Sequence, residues 1–125
     1  MSDSRWAIGP RLIRLKTDAT QQEPQKIGIA NKQGWSAYAL QQTLFVKRFT
    51  HQEGANYPDY GSNNETYTAA NFMEIETLSP IRHLEPGQFA EHLERWFLFK
   101  NVNLGTNEAG VEAALGPLIG QTTQP

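Results

Sequence analysis

The sequence predicts a mainly β fold, an antiparallel β-sandwich with a short C-terminal helix. Short segments alternate apolar and polar residues with period 2, turns rich in Gly, Pro and Asn separate them, and a helix former appears only near the end of the chain. With 125 residues we expect one domain, with its core over about residues 6–102 and the helix and tail over 103–125.

Composition and charge narrow the classes of function. The chain has 11 Lys and Arg against 13 Asp and Glu and no long basic cluster, so we expect no nucleic-acid partner. Cysteine is absent, which excludes disulfides and cysteine-based zinc sites or nucleophiles. No apolar run approaches the roughly 18 residues of a membrane helix, and the N-terminal residues do not resemble a signal peptide. We therefore expect a soluble, cytoplasmic protein without a membrane partner.

Period-2 patterns predict four strands in the first half of the chain, at residues 11–16, 24–30, 35–40 and 43–50. The last two are separated by Gln41 and Gln42, so they predict a hairpin. Residues 51–65 are dense in Gly, Asn, Asp and Pro and predict a long loop, which is where sites often lie on rigid scaffolds.

In the second half, residues 66–68 predict a short strand and residues 71–78 a longer one that carries Glu74 and Glu76 on one face. After Pro80, residues 81–84 predict an edge strand. The tetrapeptide 85–88 has Pro at its second and Gly at its third position, which predicts a type II turn.

Residues 89–100 fit either a strand or a helix, and their aromatic content after a tight turn favours the strand. The aromatic side chains Trp35, Trp96, Phe97 and Phe99 are predicted to lie in the core. Residues 107–115 predict a helix capped by Thr106 or Asn107 and ended by the dipeptide Gly-Pro at 116–117, and residues 121–125 a frayed tail.

The chain resembles the galactose mutarotase-like (aldose 1-epimerase) superfamily over about residues 6–102, in particular the C-terminal part of bacterial sugar-epimerase-like proteins. The matching motifs are Glu-Ile-Glu-Thr-Leu at 74–78, Leu-Glu-Pro-Gly at 84–87, His-Leu-Glu-Arg-Trp at 92–96, Pro-Gln-Lys-Ile-Gly at 24–28, Gly-Trp-Ser-Ala-Tyr at 34–38, Phe-Val-Lys-Arg-Phe at 45–49 and Tyr-Pro-Asp-Tyr-Gly at 57–61. The resemblance implies half of a mutarotase-like supersandwich, because family members are more than twice this length.

The resemblance also implies sugar binding over one sheet, with Glu76 at the position of the general base that acts on the anomeric hydroxyl. The histidine that acts as acid in the family has no counterpart here. Opening a sugar ring needs both a base and an acid with a pKa near the working pH, and the apolar neighbours of Glu76 or the charge of Glu74 would raise its pKa. Further candidate ligand-binding residues are Glu74, Arg48, Tyr57, Asp59 and Arg82.

Each candidate has a simpler interpretation. Glu74 and Glu76 also fit a solvated sheet face or ion pairs with an arginine, and the loop around Tyr57 also fits ordinary packing. Because both carboxylates project in parallel from one strand, they cannot flank a sugar as a glycosidase requires. The three histidines lack metal-ligand spacing, so neither a metal nor a cofactor is expected.

Three functions stay open from the sequence. The first is a mutarotase-like sandwich that binds a carbohydrate or another small ligand without catalysis. The second is an aldose 1-epimerase-like isomerase whose site is completed by a second subunit, and the third is an assembly module without a ligand. Half of a larger sandwich would expose strand edges and apolar surface that pairing can cover, so we expect a homodimer.

Overall fold

The computed structural model describes residues 3–125, which form strands, one long helix and one helical turn. The elements are β1 (Trp6–Ile8), β2 (Ile13–Leu15), β3 (Gln25–Ile29), β4 (Trp35–Leu40), β5 (Thr43–Phe49), α1 (Pro58–Gly61), β6 (Asn64–Ala69), β7 (Phe72–Thr77), β8 (Glu94–Phe99) and α2 (Glu108–Ile119). The predicted fold class is confirmed, since the chain is mainly antiparallel β with one C-terminal helix. Neither helical element in residues 3–125 is long and apolar enough to cross a membrane.

The strands form three antiparallel sheets. β1 pairs with β2, the central sheet has the order β4-β5-β8, and the outer sheet has the order β3-β6-β7. The predicted hairpin of β4 and β5 turns through Gln41 and Gln42, whose φ angles are 47° and 62°. Two consecutive left-handed residues are the geometry of a type I′ turn, which matches the twist of the strands it joins.

The apolar core lies between α2 and one face of the central sheet. Leu44 and Val46 on β5 are 1% and 0% exposed, and they pack with the buried Val111 and Leu115 of α2. Their alternation with Phe45 and Lys47 places every second residue of β5 toward the helix. Trp35, Phe97 and Phe99 pack against this cluster, as predicted.

The opposite face of the central sheet carries the outer sheet, which gives the layer order helix, central sheet, outer sheet. The Lys47 ammonium donates a hydrogen bond to the Ile75 carbonyl at 2.8 Å and so joins β5 to β7. Asn31 adds a second link, because its side chain donates to the Trp35 carbonyl and to the side chain of Asn64. This layering turns one face of the outer sheet toward solvent.

Two predictions in the segment between β7 and β8 have opposite outcomes. The type II turn is confirmed, with Gly87 at a φ of 88° and the Gln88 amide bonded to the Glu85 carbonyl. The predicted edge strand at 81–84 does not form, because this segment pairs with no strand within residues 3–125 and residues 81–93 are all exposed. Only the second half of the strand predicted at 89–100 forms, as β8.

Other predictions fail where packing decides. Trp96 is 67% exposed, because β8 is an edge strand and the outer sheet does not extend over it.

α2 continues through Pro117, which lies in the last turn, where the amide of Gly120 still bonds to the carbonyl of Gly116. The tail is not frayed, since Thr122 is buried and Thr123 accepts a hydrogen bond from Arg95. β1 was not predicted.

Asn107 caps α2, since its side chain accepts a hydrogen bond from the Gly110 amide at 2.8 Å. We expect Asn107→Ala to lower the free energy of unfolding by about 1 kcal/mol, because the substitution leaves that amide without its partner. Urea denaturation measures the change. Asn103→Ala, an exposed position before the helix, serves as the control and should change stability by less than about 0.5 kcal/mol.

Candidate functional site

The solvent-facing side of the outer sheet carries both predicted carboxylates. β-strand register places them in two cross-strand rows, Lys26–Tyr67–Glu74 and Gly28–Glu65–Glu76. Glu74 and Glu76 are exposed, which fits their alternation with the half-buried Met73, Ile75 and Thr77. This surface, called here the acidic face, is open rather than enclosed.

An ion pair between the half-exposed Lys26 and the buried Glu65 lies at the centre of the acidic face. The side chain of Glu65 is only 4% exposed. Its carboxylate accepts a hydrogen bond from the Lys26 ammonium, with Nζ and Oε2 2.6 Å apart. Gly28 makes room for it, because a Cβ at this position would lie 2.5 Å from Ser62 Oγ and 3.1 Å from Glu65 Oε1. The hydrogen bond with Glu65 raises the pKa of Lys26, and the charges of Glu65, Asp59 and Glu76 act in the same direction. Lys26 is therefore held as a cation among carboxylates.

The turn α1 adjoins this face with an unusual backbone. Asp59 and Tyr60 both have left-handed φ angles, 47° and 61°, and the Tyr60 side chain is fully exposed. Two hydrogen bonds stabilise the turn. The Ser62 amide donates to the Pro58 carbonyl, and the Ser62 hydroxyl donates to the Asp59 carbonyl. Residues with a Cβ adopt such angles rarely, mainly in tight turns such as that at Gln41 and Gln42 and at binding sites.

The structure brings Asp59, Glu74 and Glu76 to the acidic face and places the other candidates elsewhere. Tyr57 is buried, accepts a hydrogen bond from the Gln52 amide and stacks on His51, so it packs within its loop. Arg82 lies in the exposed segment between β7 and β8.

Arg48 lies on the helix-facing side of the central sheet, cross-strand from Trp35 and Arg95. Burial lowers the pKa of its guanidinium, and its Nε has no hydrogen-bond partner among residues 3–125. The thickness of the sandwich therefore separates Arg48 from Glu76, and it does not reach the acidic face.

A second polar cluster lies between the two sheets, where sequence reasoning had not placed one. Lys47 and Glu94 form an ion pair at 3.2 Å, with side chains 9% and 20% exposed. The Trp96 indole N–H donates to the Glu94 carboxylate at 2.8 Å, and the Thr77 hydroxyl also donates to it. His92 Nε2 lies 2.9 Å from the same hydroxyl oxygen. The one feature of the sequence that indicates this cluster is Lys47, a charged residue on the same strand face as Phe45 and Phe49.

The environment of Glu94 favours its charged form. Burial alone would raise the pKa of Glu94, but the hydrogen bonds from Thr77, Trp96 and Lys47 outweigh it, so the pKa lies below its ordinary value of 4.5. The cluster borders a groove of about 360 Å³ between the sheets, lined by Tyr38, Phe45, Lys47, Asn71, Phe72, Met73, Ile75 and Trp96. Hydrogen bonds already engage the Glu94 carboxylate, so the pair acts as a link between the sheets.

Comparison of the chain with models of protein families, with curated proteins and with solved structures finds no match.

Proposed function

We propose that this protein binds a carbohydrate or a similar small polyhydroxylated ligand on the acidic face, without catalysis by a single chain. The observation that carries the proposal is the turn α1, which holds Asp59 and the fully exposed Tyr60 in left-handed conformations next to the acidic face, where the charges of Asp59 and Glu76 both act on Lys26. A fully exposed ring on a constrained turn contributes nothing to the core, so a role in contact with a ligand explains its position.

The chemistry of the acidic face suits hydroxyl groups. The carboxylates of Asp59, Glu74 and Glu76 accept hydrogen bonds, and the Lys26 ammonium donates them. Tyr60 offers an apolar ring against which the C–H face of a sugar can pack, together with a polar hydroxyl at its edge. An open face of this kind fits a weakly held, partly solvated ligand better than an enclosed cofactor.

An aldose 1-epimerase-like reaction is the alternative, with Glu76 as general base. In support of it, Glu76 is exposed and makes no ion pair among residues 3–125, so a sugar hydroxyl can reach its carboxylate. The general acid would come from a second subunit, since the three histidines contact other groups. His51 stacks on Tyr57, His83 bonds to Glu85, and His92 lies against Thr77. A purely structural module without a ligand is the third candidate.

We also propose that the chain forms a homodimer. The support is a set of exposed large apolar side chains in β8 and in the segment between β7 and β8, which a monomer would leave in water. These side chains are Ile81, Leu84, Phe89, Leu93, Trp96 and Leu98.

Titration of the ¹⁵N-labelled protein with D-galactose and D-glucose, followed by NMR, tests ligand binding. We expect shift changes confined to the acidic face and the turn α1, and a dissociation constant that rises about tenfold in Tyr60→Ala and in Glu76→Gln, which corresponds to about 1.4 kcal/mol. Glu91→Gln removes an exposed carboxylate from the segment between β7 and β8 and is the matched control. Shifts spread over the whole surface, or none with either sugar, would contradict the proposal.

Polarimetry separates binding from catalysis. If the protein only binds, mutarotation of D-galactose proceeds at the uncatalysed rate with wild type and with Glu76→Gln alike. A wild-type rate clearly above background that Glu76→Gln abolishes would support the epimerase alternative instead.

A further inference from the structure

β8 presents an open strand edge with apolar side chains. It is the last strand of the central sheet and, in the part of the chain that the structure describes, pairs with β5 on one side only. Trp96 and Leu98 are 67% and 70% exposed. An exposed edge of this kind is a template for pairing with another strand, and proteins that do not use it usually block it with charges, a proline or a bulge. Trp96, Phe97 and Leu98, in the middle of this strand, carry no such block.

The direction of the free backbone groups follows from the neighbouring ladder. The Phe49 amide donates to the Gly34 carbonyl on the β4 side. Because an antiparallel strand alternates the side to which it bonds, Leu44, Val46 and Arg48 bond toward β8, where Phe99, Phe97 and Arg95 face them. Glu94, Trp96 and Leu98 therefore point their amides and carbonyls to the open edge.

We propose that a second copy of this chain covers this edge through antiparallel pairing of the two β8 strands, with the two-fold axis at Phe97. Glu94 then lies opposite Lys100 of the partner subunit, and Trp96 lies opposite Leu98 of the partner subunit. The same backbone amides and carbonyls form the hydrogen bonds on both subunits, as a two-fold interface requires. The two central sheets become one six-stranded sheet. The inference rests on the homodimer proposed above and identifies its interface.

The apolar side chains select this register. With the axis at Phe97, the exposed Trp96 and Leu98 face each other in both halves of the interface, and an apolar cross-strand pair of this kind is favourable. An axis at Trp96 would place Leu98 opposite Glu94 of the partner subunit. An axis at Leu98 would place Trp96 opposite Lys100 of the partner subunit. Both shifts keep the backbone hydrogen bonds but remove the two Trp–Leu pairs.

Cross-linking tests the register directly, because the chain contains no cysteine. Trp96→Cys and Leu98→Cys are prepared separately, mixed while reduced and then oxidised. Directly opposite residues lie about 5.5 Å apart between Cα atoms, within the range of a disulfide, whereas residues offset by two positions exceed it. We expect the mixed disulfide to exceed either self-linked product at least fivefold. Leu40→Cys, an exposed position on the other edge of the same sheet, is the control and should not self-link.

A variant outside any buried cluster gives an independent readout by light scattering. Leu98→Lys places a charge opposite Trp96 of the partner subunit in both halves of the interface, and we expect the dimer dissociation constant to rise about fivefold. Leu40→Lys makes the same change at an exposed position on the other edge of the sheet and should leave the constant unchanged.

The outcomes separate the two proposals. A dimer in which Trp96→Cys or Leu98→Cys links mainly to itself overturns the register, and a dimer without any cross-link overturns the interface but not the homodimer. A monomer at all concentrations overturns both, while sugar binding to a single chain would stand.

Discussion

Leu44→Ala is expected to lower the free energy of unfolding by about 3 kcal/mol. Leu44 is 1% exposed and lies in the cluster formed by Val46, Val111 and Leu115 between the central sheet and α2. The substitution removes buried apolar surface and leaves a cavity that the surrounding side chains fill only in part, and losses of 2–5 kcal/mol are usual for such changes. Urea denaturation monitored by circular dichroism measures the effect.

Leu40→Ala is the matched control for Leu44→Ala. Leu40 lies on the neighbouring strand β4 and is 58% exposed, so the same chemical change should cost less than about 1 kcal/mol. Similar losses in both variants would show that the core is not where the structure places it.

Lys47→Met is the second change for which we expect a large effect, a loss of about 3 kcal/mol. Lys47 is buried, pairs with Glu94 and donates a hydrogen bond to the Ile75 carbonyl. Its removal leaves the Glu94 carboxylate between the sheets without a cation, and breaking a buried pair on one side commonly costs 3–5 kcal/mol. The double variant Lys47→Met with Glu94→Gln should recover at least about 1 kcal/mol, because it removes the stranded charge.

Lys32→Met provides the contrast. Lys32 pairs with Glu53 at 2.6 Å, but both side chains are mostly exposed. An exposed pair is worth little, so we expect a change within about 1 kcal/mol. If the double variant at 47 and 94 were no more stable than Lys47→Met alone, the stranded carboxylate would not be the cause of the loss.

The pH dependence of the same pair follows from the lowered pKa of Glu94. A carboxyl whose pKa is lower in the folded state stabilises it at pH values above its unfolded pKa, and this contribution falls as the pH drops through the folded value. The difference in the free energy of unfolding between wild type and Lys47→Met should therefore have its largest value at pH 7 and become smaller below pH 4.5. Asp3, whose pKa is lowered to about 2 by Arg5, titrates in both proteins, so its contribution cancels in the difference.

Local patterns in the sequence were sufficient where neighbouring residues decide the structure. The hairpin of β4 and β5, the strand β7 and the turn at 85–88 follow from period-2 alternation and from the backbone preferences of Pro and Gly, and these act over a few residues. The core positions of Trp35, Phe97 and Phe99 follow for the same reason, since alternation assigns each residue to a face.

The positions of side chains relative to other elements depended on tertiary structure. Trp96 has the chemistry of a core residue but lies on an edge that the outer sheet does not cover. Arg48 faces the helix from the central sheet, whereas Glu76 faces solvent from the outer sheet. Lys47 and Glu94 are far apart in the chain and meet because β5 pairs with β8. Alternation within a strand determines which residues share a face, whereas the packing of the sheets determines what each face meets, and that depends on contacts between residues distant in sequence.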